Sequence, residues 1–150
     1  MTLQAAYDFF ESLKIKTTKK SEIKVYEKFL HILSELKSRE FSNDEVQSIE
    51  SKLDSLNLES NLANNTKQLK KTLKEFEEYL KENHSLISMG YYTNIGVSTG
   101  AAFGVVLGVV FGARFERSLG LAVGISIGML IGLFMGRYMD AKAKSENRIL

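Results

Sequence analysis

Between residues 96 and 136 glycine recurs at every fourth position, at Gly96, Gly100, Gly104, Gly108 and Gly112, and again at Gly120, Gly124, Gly128, Gly132 and Gly136. Few patterns restrict a fold so strongly. In a water-exposed helix each of these glycines would cost about 1 kcal/mol relative to alanine. That loss is tolerable where unfolding the helix costs more. Hydrocarbon is such a place, because an unpaired backbone amide there costs several kcal/mol and the solvent enforces helicity. Lengths agree with that environment. Ile95–Ala113 and Ser118–Gly136 are each 19 residues without a charge. Each would reach about 28 Å as a helix, close to the ~30 Å hydrocarbon core of a bilayer. Arg114, Phe115, Glu116 and Arg117 lie between them and hold the charges of this stretch. One helix through both segments would be roughly 65 Å long, twice what a bilayer accommodates. The chain is therefore expected to turn here, Gly112 ending the first span and Ser118 capping the second.

Glycine at every fourth position leaves a groove along a helix into which another backbone fits closely. A four-residue period exceeds the 3.6 of the α-helix, so the groove drifts by about 40° per repeat and favours a right-handed crossing. From this drift, one crossing near the midplane is expected to use Gly104 and Gly108 against Gly128 and Gly124. The outer glycines would then stay open for a second hairpin, making the protein a homo-oligomer. Phe103, Leu107 and Phe111 flank the first groove, and Val123, Ile127, Ile131 and Met135 the second. They are expected to face lipid or fill a neighbour's groove. Tyr91, Tyr92 and Tyr138, with Arg137, flank the spans where aromatic and basic residues anchor at headgroup depth.

All 11 glycines lie at or beyond Gly90, so composition itself divides the chain. Residues 1–89 hold 14 of the 20 basic and 15 of the 18 acidic side chains. They read as a water-soluble region of about four helices, residues 90–140 as the hairpin, and residues 141–150 as a polar tail. The expected class is all-α, a helical bundle followed by a transmembrane glycine-zipper hairpin. The first helix covers about Leu3–Leu13, with Leu3, Tyr7, Phe10 and Leu13 on one face. The second runs from about Ser21 to Ser38, with Ile23, Tyr26, Leu30, Leu33 and Leu36. Ser42 and Glu45 have the spacing of a capping box that opens a third helix, carrying Val46, Ile49, Leu53 and Leu56. Asn61–Asn65 reads as a break and Thr66 as the cap of a fourth helix, whose Leu69, Leu73, Phe76 and Leu80 form a bundle or coiled-coil seam. Nothing in its sequence stops this fourth helix before the membrane. No uninterrupted apolar run occupies residues 1–20, so the C-terminal segments are expected to direct insertion.

Chemistry finds little to work with. The chain has no cysteine and two histidines. His31 stands beside Leu30 and Ile32 and reads as a packed or half-exposed core residue. His84 falls near a helix C-terminus, where a cation is favoured. No metal-ligand, nucleotide-loop or metalloprotease motif occurs, and the carboxylates of residues 75–82 alternate with lysines on a solvated face. No enzyme and no cofactor are expected, and a net charge of +2 gives no footprint for nucleic acid. Asn94, Ser98, Thr99 and Ser126 are the polar residues within the spans, and none of them ionises.

Over Ile95–Gly136 the sequence resembles the glycine-zipper class of two-span membrane proteins, which share a repeated small-xxx-small pattern. That class includes pore formers, membrane-shaping hairpins and lipoproteins, so the resemblance implies close helix packing in a bilayer rather than one activity. Glu116 between two arginines departs from the strongly basic loop of the membrane-shaping members. Two functions are expected. In the first, the hairpin anchors and self-associates while residues 1–89 present a scaffold or bind a protein partner. In the alternative, hairpins assemble into a pore, as in a holin, toxin or defence effector. Lys81, Arg137, Lys142, Lys144 and Arg148 outnumber Arg114 and Arg117, which favours both chain ends in the cytoplasm.

Overall fold

The computed structural model describes residues 1–58, 66–113 and 117–150. Six helices are found among them: α1 (Leu3–Lys16), α2 (Lys20–Ser38), α3 (Asn43–Ser55), α4 (Thr66–His84), α5 (Tyr91–Gly112) and α6 (Arg117–Ser145). They fall into two units, residues 1–87 together with Leu150, and residues 88–149. The expected break at Asn61–Asn65 and the tetrapeptide residues Arg114, Phe115 and Glu116 lie outside the described residues.

The first unit is a four-helix assembly in which α1 packs on α2 while α2 and α3 each pack on α4. An aromatic pile ties three of the helices together. The rings of Phe10 and Phe29 stack at 4.1 Å, and Phe29 stacks on Phe76 at 6.2 Å. All three side chains are fully buried. The buried stripe of α2 is wider than the expected Tyr26–Leu33–Leu36 seam. Val25, Phe29 and Ile32 join it, while Ile23 and Leu30 sit at its margin. A core-facing helix of a bundle commonly buries such a broad face.

Helix ends follow local chemistry. Thr2 Oγ1 accepts from the Ala5 amide to open α1. Ser42 and Glu45 form the full capping box, the hydroxyl accepting from the Glu45 amide at 3.3 Å and the carboxylate accepting from the Ser42 amide at 2.9 Å. The Ser42 amide, and then its hydroxyl donating to the same carboxylate, hold the Glu45 carboxyl below the usual carboxylate range. Thr66 is the first residue of α4, and its hydroxyl donates to Glu22 at 3.0 Å. The α4 helix does not run on toward the membrane. It ends at His84 because Ser85 turns left-handed, with φ +56°, and the Leu86 amide donates back to the Leu80 carbonyl. Leu86 is buried in the same core. So is Leu150, whose amide donates to the Ile87 carbonyl at 2.9 Å.

The second unit is the antiparallel pair α5 and α6. Mean hydropathy is 1.9 for the first and 2.1 for the second, and both are long enough to cross a bilayer. The first span opens at Tyr91, ahead of the expected Ile95, behind Gly90 in the left-handed region at φ +77°. Few residues other than glycine adopt that conformation cheaply. The second helix is described from Arg117, so Ser118 lies within it. It continues nine residues beyond Gly136, to Ser145. There Asn147, at φ +55°, takes the left-handed position of a Schellman turn. Arg148 donates to the Ala143 carbonyl, and Asn147 to that of Lys144. The first half of the region expected to be a polar tail, through Ser145, is thus helical.

A candidate membrane-packing site in the glycine hairpin

The two glycine rows face each other. A methyl group added to Gly100 or Gly128 would strike the other's carbonyl oxygen, and the same holds for Gly104 and Gly124 and for Gly96 and Gly132. At Gly108 it would lie 2.8 Å from the Gly120 oxygen and 2.9 Å from Leu121 Cα. At Gly120 it would meet the Gly112 backbone, and at Gly136 the Tyr92 oxygen at 2.5 Å. Each step of four along α5 is therefore answered by a step of four back along α6. Gly104, Gly108 and Gly112 on α5 and Gly132 and Gly136 on α6 are buried, and the other five are half-buried.

This pairing revises the expectation of a single midplane crossing. The outer glycines Gly96, Gly100, Gly132 and Gly136 are occupied within the hairpin as fully as Gly104 and Gly124 are. The drift of about 40° per repeat applies to straight helices. Helices that wrap around one another follow the drifting grooves, and contact then persists from end to end. Backbones this close give dispersion contacts along the whole pair, replacing the hydrophobic drive that lipid removes.

The large side chains point the other way. Phe103, Leu107 and Phe111 on α5 are exposed, as are Val123, Ile127, Ile131 and Met135 on α6. Fewer than one in five residues of either apolar stretch is buried, whereas the core helix of a water-soluble protein is mostly buried. Small residues inside and bulky apolar residues outside suit a hydrocarbon surround. The serine hydroxyls in the spans are satisfied locally: Ser98 Oγ donates to the Asn94 carbonyl and Ser126 Oγ to that of Ala122. On the outer surface, Leu107, Phe111, Val123, Ile127 and Ile131 border a furrow of about 430 Å³ whose floor includes Gly120, Gly124 and Gly128.

At the end of the hairpin away from the turn, Asp140 reaches from α6 to the first turn of α5. Its carboxylate accepts from the amides of Tyr92 and Thr93, both at 3.0 Å, and from the Thr93 hydroxyl at 2.6 Å. Sequence reasoning missed this residue. The available signal was an acid just past the second span, facing a Gly-Tyr-Tyr-Thr helix start that supplies no cap of its own. A carboxylate at a helix N-terminus also opposes the positive end of its dipole. Tyr91 and Tyr92 form an edge-to-face pair at 5.3 Å, half-exposed in the same turn. Tyr138 and Arg137 are exposed on α6.

Elsewhere, His31 is exposed rather than packed. His84 lies between the rings of Phe41 and Tyr79, at 6.2 and 5.7 Å. Among the described residues, no three His, Asp or Glu side chains converge where a metal could be held.

No curated protein and no solved structure matches the chain. The family described as glycine zipper membrane protein matches residues 83–142, less than half of the chain but nearly all of α5 and α6, so over this segment the chain is similar to the glycine zipper membrane proteins.

Proposed function

We propose that this chain is a membrane-anchored helical scaffold or adaptor. The hairpin of residues 90–140 holds it in a bilayer and self-associates, and residues 1–89 present a surface for a protein partner at one membrane face. The observation that carries this reading is the inward closure of the hairpin. Its glycines pack on each other and the hydroxyls of Ser98 and Ser126 bond to their own helix. Among the described residues the outer surface of the spans is mainly apolar. Asn94, Ser98 and Thr99 are confined to the start of α5, and Ser126 stands alone between Leu119 and Gly136 on α6, which makes no continuous polar stripe along which water could pass. Self-association then uses the bulky outer faces rather than the glycine rows. The furrow beside Phe111 and Ile127 has room for a side chain from a second copy. In this reading both termini face the cytoplasm, which the excess of Lys and Arg flanking the spans on that side supports.

Purified full-length protein in dye-loaded vesicles tests the choice against the pore alternative. Crosslinking should detect oligomers while the dye is retained. Dye release that rises with protein density would replace the scaffold reading with the pore.

A further inference from the structure

In the first unit α2 and α4 lie side by side, and the furrow between them is walled by lysine. Lys20, Lys24 and Lys28 recur every fourth residue on α2, and Lys70 and Lys74 do so on α4. All five are exposed, Val25 and Leu73 at the floor are buried, and the furrow holds about 600 Å³. Glu77 is the one acidic side chain lining it among the described residues. Of the other carboxylates of these helices, Glu22 pairs with Lys19, Glu27 with Lys14 and Glu75 with Lys52. Lys74 approaches Glu78 at 3.9 Å. Lys20, Lys24, Lys28 and Lys70 make no ion pair among the described residues. Residues 1–89 carry slightly more acid than base, so this furrow concentrates charge that the region as a whole does not have.

We propose that the furrow binds the anionic lipid headgroups of the bilayer that the hairpin occupies. The proposal rests on α5 and α6 crossing that bilayer. Three residues separate Ile87, the end of the first unit, from Tyr91, the start of the span. Fully extended, such a connection reaches about 10 Å, one Debye length at ~0.1 M salt. The first unit is thus tethered at the bilayer surface, where headgroups are offered at high effective concentration, whereas a soluble acidic partner must be captured by diffusion. Side-chain chemistry agrees. Every basic residue of the wall is lysine, a point charge on a flexible stem that follows mobile phosphates, rather than the rigid arginine fork suited to fixed carboxylates. The stems lie along the apolar floor while the ammonium groups stay in water. Each lysine held at an anionic surface strengthens attachment by about fivefold.

The test uses the full chain in nanodiscs of phosphatidylcholine, with or without phosphatidylglycerol, and an amine-reactive label read by peptide mass spectrometry. Labelling of the five furrow lysines should fall several-fold when the anionic lipid is present, while exposed Lys16 and Lys37 are unchanged. Protection should disappear at about 1 M salt, where the Debye length shrinks to about 3 Å. In the Lys24→Gln/Lys74→Gln variant, the three remaining furrow lysines should label faster in anionic discs. Equal labelling in both lipids overturns the proposal. So does protection by inorganic phosphate in phosphatidylcholine discs, which would assign a free anion. Protection in native membranes but in neither disc would assign a protein partner and overturn it too. Co-elution of protein with discs reads insertion separately, so failure of the hairpin is not mistaken for failure of the furrow.

Discussion

Asp140 and Thr93 are joined twice, the carboxylate accepting from the Thr93 amide at 3.0 Å and from its hydroxyl at 2.6 Å. The Tyr92 amide donates to the same carboxylate. One side chain of α6 thus caps the start of α5 and fastens the open end of the hairpin. Removing it in Asp140→Ala leaves two helix-start amides without their acceptor, a loss of about 1–2 kcal/mol. Thermal unfolding in detergent should show Asp140→Ala below wild type and Asp140→Asn, which keeps one acceptor oxygen, in between. An unchanged midpoint for Asp140→Ala would show that the cap contributes nothing.

The end-to-end glycine contact makes a second prediction. Gly132→Ala at the outer part of the zipper should destabilise the hairpin as much as Gly104→Ala near its middle, because both methyls meet a carbonyl oxygen of the facing helix. Overpacking of this kind costs roughly 1–3 kcal/mol. Separation of the helices can be followed by distance measurements between spin labels at Ser98 and Met129. If Gly132→Ala dissolved an oligomer and left the hairpin closed, the outer glycines would be intermolecular after all.

Glu22 supplies a pH dependence. Its carboxylate accepts from the Thr17 hydroxyl at 2.8 Å, Lys19 at 3.1 Å and the Thr66 hydroxyl at 3.0 Å, joining the end of α1 to α2 and α4. The bond from Thr17, then that from Lys19, holds the carboxyl below its usual value. The folded state therefore favours the ionised form. Its stabilising contribution is complete above the usual carboxylate range and is lost as pH falls through the lowered folded value. Glu22→Gln should melt a few degrees below wild type at neutral pH, with the gap closing in acid. Circular dichroism melts across that range check it, and a gap independent of pH would refute it.

Burial of Leu150 leads to a prediction about the last residue. Truncating it, or replacing it with Asp, should lower the stability of the first unit by about 2 kcal/mol, as loss of a core leucine does. Protease susceptibility of residues 1–87 in the full chain reads this directly. Equal susceptibility of wild type and Leu150→Asp would mean that the residue is dispensable to the core.

Topology is tested at the turn. On the proposed orientation, with both termini on the cytoplasmic side, Phe115→Cys should react with a membrane-impermeant thiol reagent added outside intact cells. Labelling that appears only after lysis would invert the orientation.

The sequence made some elements plain and hid others for physical reasons. The Ser42–Glu45 box is a short-range device in which residue types and spacing define the bonds, and it could be read directly. Glycines spaced by four announced close helix packing because few other arrangements require them. How many of them meet one partner depends on whether the helices wrap, a property of the pair that a straight-helix projection loses. Asp140 escaped notice because its partners lie 47 and 48 residues away in the chain. The stop after His84 was equally hidden, since Ser85 carries no compositional mark of a left-handed residue. In α2, Val25, Phe29 and Ile32 belong to a second seam beside the expected one, and only the packing of α1 and α4 on either side shows that both are used.

Ten evenly spaced glycines have a further consequence for the choice of alignment. If α6 slid by four residues along α5, nearly every glycine would meet a glycine again, so the zipper by itself is degenerate, like two combs that mesh at any tooth. A slide of one residue would instead drive Leu121 or Ile125 into the facing backbone. The zipper thus forbids small displacements and barely distinguishes large ones. Selecting the tooth falls to features outside the repeat: the short connection after Ala113 and the grip of Asp140 on Thr93. A short connection at one end of the spans and a single carboxylate at the other together choose among several equally close-packed alignments.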